Sequence, residues 1–130
     1  MKLHYAERLD ECPVFVVNAV RHHHAELCAT YAYSLEFLHG DEHTLWVGEG
    51  IKFGGATLWT PIENGKVWWV WFTCTAQRRK GVYLALRKEL VRRARKDKVC
   101  RTIESHVAVS NTRMVELMKR VGSIPVSYKF

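Results

Sequence analysis

A cluster of cations stands where an apolar segment gives way to one of helical periodicity. The stretch Val67-Trp68-Trp69-Val70-Trp71-Phe72 is followed by Gln77-Arg78-Arg79-Lys80-Gly81, and helical spacing begins directly after. Free backbone N–H groups at a helix start, together with the positive end of its dipole, favour anions. The flanking Arg and Lys side chains add charge, and Gly81 allows a phosphate to approach the backbone. The expected chemistry is capture of a phosphate-bearing ligand. Further along, Glu104 and His106 share one face of a predicted strand by its period of two. Carboxylate and imidazole are candidate proton acceptors there. The same pair also suits an exposed strand face.

The histidines invite a metal reading. In His22-His23-His24 consecutive side chains on a helix point about 100° apart, so at most two face one ion. His39 and His43 have the spacing that places two ligands on one helix face, but Gly40-Asp41 between them reads as a turn. No carboxylate or cysteine completes a motif with these residues or with His4, so polar surface positions are expected and no metal site is assigned.

These residues must be positioned by one domain, since 130 residues suffice for one core. Hydrophobic residues at 48% and charged residues at 25% are ordinary globular proportions. No apolar run reaches the length of a membrane span, and the first residues lack the apolar stretch of a leader, so a soluble, cytoplasmic protein is expected. Cys12, Cys28, Cys74 and Cys100 are widely spaced, which predicts reduced, mostly buried thiols. The net charge of +7 is concentrated: residues 78–101 carry eleven Lys or Arg against Glu89 and Asp97. Such a segment expects a nucleotide-like ligand, nucleic acid or an acidic partner, or is a solvated helix face.

Leu3 to Leu9 reads as a short strand, and Cys12 to Ser34 as a helix through Val16, Val20, Leu27 and Tyr31. Strands are predicted over Thr44–Glu49, Gly55–Pro61 and Lys66–Thr75, the last two joined at Glu63-Asn64-Gly65, a turn tolerant of positive φ. The Lys66–Thr75 strand is apolar at every position of its Trp-rich run, which predicts a central strand covered on both faces, with Trp69 and Trp71 losing most of their solvent exposure; such a run also suits ligand stacking, but the absence of alternation favours core packing. A helix over Tyr83–Asp97 turns Tyr83, Leu86, Leu90 and Ala94 inward. A strand over Thr102–Val109, a helix capped by Ser110-Asn111 and stopped by Gly122, and a strand over Ile124–Phe130 complete the chain. The fold class is α/β, a mixed, mostly antiparallel sheet flanked by helices.

With the basic turn placed between strand and helix, the chain resembles the GNAT superfamily of acyl-coenzyme A N-acyltransferases. Members carry Arg/Gln-x-x-Gly-x-Gly/Ala at this junction, where its amides hold the pyrophosphate of acetyl-coenzyme A. Here the run is Arg78-Arg79-Lys80-Gly81-Val82-Tyr83, with Tyr83 in place of the final small residue. The segment from Asn111 to Gly122 fits the family's downstream Asn and short helix. The likeness covers about residues 44–130 well and the N-terminal third by element order. It implies acetyl-coenzyme A contacts at Arg78, Arg79, Lys80, Gly81, Val82 and Tyr83, at Phe72 and Thr73 where the Trp-rich strand splays, and at Asn111. It implies acyl transfer to a primary amine of a small molecule or protein, with Glu104 or His106 as base. The tyrosine that protonates the departing thiolate falls at Met118, which has no proton to give; Tyr128 is the alternative acid if the last strand returns to the cleft. The weak turn, the Asn-Thr-initiated helix and its final Gly also resemble small GNAT-like proteins of short-tailed phages. That likeness keeps a second reading open: a non-catalytic module using residues 78–101 on nucleic acid or on a phage or host partner.

Overall fold

The computed structural model describes residues 2–31, 38–76, 81–106, 111–120 and 122–123. Gln77, Arg78, Arg79 and Lys80, the strand expected over 124–130, and Tyr128 with it lie outside the described residues. The chain runs β1 (Lys2–Ala6), a 3-10 turn at Leu9–Glu11, α1 (Val14–Tyr31), β2 (His43–Glu49), β3 (Lys52–Ile62), β4 (Val67–Thr75), α2 (Val82–Lys96), β5 (Thr102–Ser105) and α3 (Thr112–Arg120). The five strands lie side by side in sequence order. The pairs β1–β2, β2–β3 and β3–β4 are antiparallel, while β4–β5 is parallel. The sheet is thus the mixed, mostly antiparallel one expected.

Each face of the sheet has its own core. On one, Val16 and Val20 of α1 pack with Leu9, Leu38, Ala56, Leu58, Phe72 and Cys74. On the other, Val82, Leu86, Leu90 and Ala94 of α2 cover Leu45, Val47, Trp59 and Trp68. The inward stripe of α2 starts at Val82, where the sequence had pointed to Tyr83; Tyr83 is only half-buried. Residues 82 and 83 are adjacent on the helix, and the close fit of Val82 against Gly55 fixes the phase. A Cβ on Gly55 would come within 2.7 Å of both Val82 Cγ1 and the Cys74 carbonyl, so a glycine there is what lets α2 sit down on β3.

The β3–β4 hairpin closes as its sequence requires. Glu63, Asn64 and Gly65 all have positive φ, and the Gly65 and Lys66 N–H groups donate to the carbonyls of Ile62 (3.0 Å) and Glu63 (3.2 Å). Farther along, the β3–β4 register slips between Leu58–Phe72 and Trp59–Val70, which leaves Trp71 as an extra residue on β4. Such a bulge bends a strand and re-aims its side chains. The expected turn at Gly40 is held from the inside: the buried Glu42 carboxylate accepts the N–H groups of His39 (3.1 Å) and Gly40 (2.9 Å). The spacing of His39 and His43 is therefore not helical, and His43 opens β2 and shares a 2.8 Å hydrogen bond with the Tyr5 hydroxyl.

Cys12, Cys28 and Cys74 are buried free thiols, and Cys100 is half-buried. Burial pushes Cys12 up to about 11 and Cys74 up to about 12. No helix among the described residues is long and apolar enough to cross a membrane.

Candidate functional site

At the site β4 runs on past its described pairing with β5. Among the described residues their parallel pairing runs from Val67–Thr102 to Val70–Ser105, whereas β4 continues to Thr75. Trp71, Phe72 and Thr73 lie beyond the last paired residue, and all three line a cavity of about 160 Å³. An extended edge left without a neighbour presents backbone N–H and C=O groups to whatever enters. The cavity passes between the two helical layers. α1 contributes His24, Leu27 and Cys28; α2 contributes Tyr83, Leu86, Arg87 and Leu90; the end of β5 contributes Ser105 and His106; and α3 with its cap contributes Asn111, Met114 and Met118.

One boundary of this cavity is the start of α2. Gly81 precedes the helix with φ +66 and ψ 14, a left-handed conformation that glycine adopts freely, and space around it is open. The first N–H to reach back along the helix is that of Ala85, to the Gly81 carbonyl at 3.0 Å. The amides of Val82, Tyr83 and Leu84 belong to the first turn of the helix, where the dipole favours an anion. Asn111 plays its expected capping part on α3, its side-chain oxygen accepting the Met114 N–H at 3.3 Å and its carbonyl the Val115 N–H at 3.1 Å. Arg87 donates to Ser123 at 3.1 Å. Burial lifts the Tyr83 phenol above its ordinary range, partly offset by Arg87, so that side chain is a protonated hydroxyl at neutral pH.

The residues singled out by sequence separate here. Phe72, Thr73, Tyr83, His106 and Asn111 come together around the cavity, with Gly81 and Val82 at the start of α2. Glu104 is exposed, does not line the cavity, and accepts a hydrogen bond from the Thr102 hydroxyl at 3.1 Å. It pairs with Trp69, whereas His106 follows the last residue of β5 that is paired among the described residues. Arg78, Arg79, Lys80 and Tyr128 lie outside the described residues.

Other lining residues escaped the sequence. Trp69 and Trp71 lose most of their solvent exposure, as expected, yet with Val70 they are not fully buried, because the cavity opens against them. Trp71 Nε1 donates to Thr60 at 2.8 Å, and Trp69 meets both Trp71 and His106 edge-on, with centroids 6.2 and 4.6 Å apart. The histidine triplet is not uniformly surface. His22 lies 3.2 Å from Glu26, His23 is tilted against Phe53, and His24 stands edge-on to Phe72 at 5.4 Å, with Nε2 3.8 Å from Cys28 Sγ. Burial, assisted by Arg21, lowers the His24 pKa below its ordinary value, which keeps the imidazole neutral at pH 7. Among the described residues no three His, Cys, Asp or Glu side chains gather as a metal site would need.

No protein-family model and no curated protein matches the chain. Solved structures do. Arabidopsis thaliana NAA60 in complex with a bisubstrate analogue superposes with a TM-score of 0.69 at 15% identity, covering 97% of this chain and 87% of that one. Aminoglycoside N-acetyltransferase AAC(6')-Iy in complex with CoA gives 0.63 at 16% identity, covering 99% and 96%. Ribosomal-protein-alanine N-acetyltransferase from Brucella melitensis gives 0.62 at 13% identity, covering 99% and 96%. Likeness at such identities is a matter of architecture, and the architecture is that of the GNAT acetyltransferases.

Proposed function

We propose that the chain is an acyl-coenzyme A-dependent N-acyltransferase that uses acetyl-coenzyme A to acylate a primary amine. One observation carries the reading: a cavity follows β4 past its last pair with β5 among the described residues, next to the start of α2, where Gly81 supplies no side-chain cap. In this reading the pyrophosphate lies on the amides of Val82 to Leu84, with Arg78, Arg79 and Lys80 preceding them in sequence. The amide-bearing arm of the donor extends along the free edge of β4 at Phe72 and Thr73, as a peptide adds to a sheet edge. The Asn111 side-chain oxygen caps α3, and its amide NH₂ is the group that would donate to the donor's arm.

The chemistry is attack of a neutral amine on the thioester carbonyl. A C–N bond forms, the C–S bond breaks, and the ammonium proton must first leave. His106 and the neutral His24 both line the cavity and can accept it; Glu104 serves only through intervening water. A backbone N–H on the free edge of β4 stabilises the developing oxyanion. Met118 lines the cavity and offers no proton, so the thiolate is protonated by Tyr128 or by water.

Thermal denaturation with acetyl-coenzyme A, coenzyme A and a short DNA duplex in parallel tests this. A ligand at 100 times its Kd adds about 2.7 kcal/mol of stability. Stabilisation by both coenzyme A species and not by DNA is expected. Lys88, Arg92, Arg95 and Lys96 form an exposed basic face on α2. Salt-sensitive stabilisation by DNA alone would assign the segment 78–101 to nucleic acid and overturn the acyltransferase reading.

A further inference from the structure

The side of the cavity between α1 and β4 is walled by aromatic rings. Trp68 and Val70 belong to the α2-side core, so alternation turns Trp69 and Trp71 to the opposite face, and the bulge at Trp71 brings Phe72 to that α1 side as well. Both indoles are half-buried and line the cavity with His106, while His24 and Phe72 close it from the helix side. The wall is fixed before any ligand arrives: Trp71 is tied to Thr60, and Trp69 is wedged edge-on between Trp71 and His106. Rigid, partly exposed aromatic faces bind flat apolar bodies at low entropic cost. The one formal charge among the described lining residues is the guanidinium of Arg87, which repels cations. A polyamine or a lysine-rich peptide would bring several ammonium groups into this space with no carboxylate among the described lining residues to receive them.

We propose that this part of the cavity is an acceptor subsite for a primary amine carried on a flat aromatic body, which lies face-on to one of the perpendicular indoles of Trp69 and Trp71 and edge-on to the other, and presents its nitrogen toward His24 and His106. The inference rests on the acyltransferase reading and narrows its acceptor. Acyl transfer there forms the N-acyl aromatic amine and releases coenzyme A, with no further reactant.

The test measures coenzyme A release from acetyl-coenzyme A by the full chain with 2-phenylethylamine, spermidine and a peptide with a free N-terminus. Quenching of tryptophan fluorescence by 2-phenylethylamine, with coenzyme A present, measures binding without turnover. The expected kcat/KM for 2-phenylethylamine exceeds those for the other two by about 100-fold, the scale of burying one phenyl ring. Trp71→Ala raises its KM about ten-fold, a stacking contact's worth, while the Kd for acetyl-coenzyme A by calorimetry stays at the parental value. Trp69→Ala gives the same result and replaces Trp71→Ala if that variant melts early. Preference for spermidine or the peptide, an unchanged KM in both variants, or neither turnover nor quenching with 2-phenylethylamine while acetyl-coenzyme A binds, overturns the subsite alone. Failure of the parent chain to bind acetyl-coenzyme A overturns the acyltransferase reading and the subsite with it.

Discussion

Replacing Gly81 by valine separates what the turn does for the fold from what it does for a ligand. Gly81 sits at φ +66, and a Cβ added to it meets nothing within 4 Å. The cost to the fold is therefore conformational and not steric, roughly 1–2 kcal/mol for a left-handed L-residue. The lower entropy of the unfolded chain returns about 0.4–1 kcal/mol of that. The net loss is about 1 kcal/mol, which lowers Tm by about 3–6 °C in a domain of this size. Binding should suffer far more. An isopropyl group at Gly81 stands in the open space through which a pyrophosphate must reach the amides of Val82 to Leu84. Hydrogen bonds to a charged group contribute about 1.5–3 kcal/mol each, so losing two weakens coenzyme A by about 10²–10⁴-fold. Calorimetric titration with coenzyme A and thermal denaturation without it give the two numbers. Gly81→Asn supplies the control, because asparagine tolerates the left-handed region: its Tm should stay near the parent while its Kd remains weakened. A parental Kd in Gly81→Val would remove this turn from the site, and a parental Kd in Gly81→Asn alone would trace the loss to conformation.

The remaining predictions concern the acid, the cavity and stability. Met118→Tyr should leave acyl transfer unchanged or raise it, and Tyr128→Phe should lower the rate by up to about 10²–10⁴-fold if that hydroxyl protonates the thiolate, or leave it unchanged if water does; steady-state rates with an accepted amine decide. Tyr83→Ala should tighten coenzyme A, as measured by calorimetry, by opening the cavity where the family pattern has a small residue. Glu42→Ala should lower stability by about 2–4 kcal/mol in urea denaturation, because the N–H groups of His39 and Gly40 lose their buried acceptor. His24 and His43 both have pKa values lowered by burial. The unfolded chain therefore binds more protons below about pH 6.5, so stability should fall as pH drops from 7.5 to 5.5, and His43→Gln should flatten that slope in Tm against pH.

Much of the fold is written in short-range patterns. The positive-φ turn at Glu63-Asn64-Gly65, the stripe Leu86, Leu90, Ala94 and the cap at Asn111 each follow from residues within a few positions of one another. The site is less legible because it lies where β4 runs on past its described pairing with β5. Trp69 and Trp71 look like core in a run that is apolar throughout, and only the ending of the β5 pairing at Ser105 and the slip in register that bulges Trp71 turn them into a wall. Glu104 and His106 are equivalent by period, yet they fall on opposite sides of that ending. His24 was hidden in a triplet whose helical phase depends on which side of α1 meets Phe72. The first-turn member of the α2 stripe is Val82 and not Tyr83, since the contact that decides between them is with Gly55, far away in sequence.

The strand order has a consequence for how the molecule assembles. β2, β3 and β4 are joined by two tight hairpins, so their pairing closes only short loops and can form early. The parallel β4–β5 pair must wait for the whole of α2 to be laid across the sheet, and among the described residues it is four residue pairs long. The cleft is thus bounded by the last and weakest ladder in the sheet. Native-state hydrogen exchange should find β5 and α3 opening at a lower free energy than the β2–β4 meander, so that a half-open cleft is the first excited state of the folded chain. A long donor such as coenzyme A would then enter by loosening one edge of an intact scaffold, without unfolding the rest.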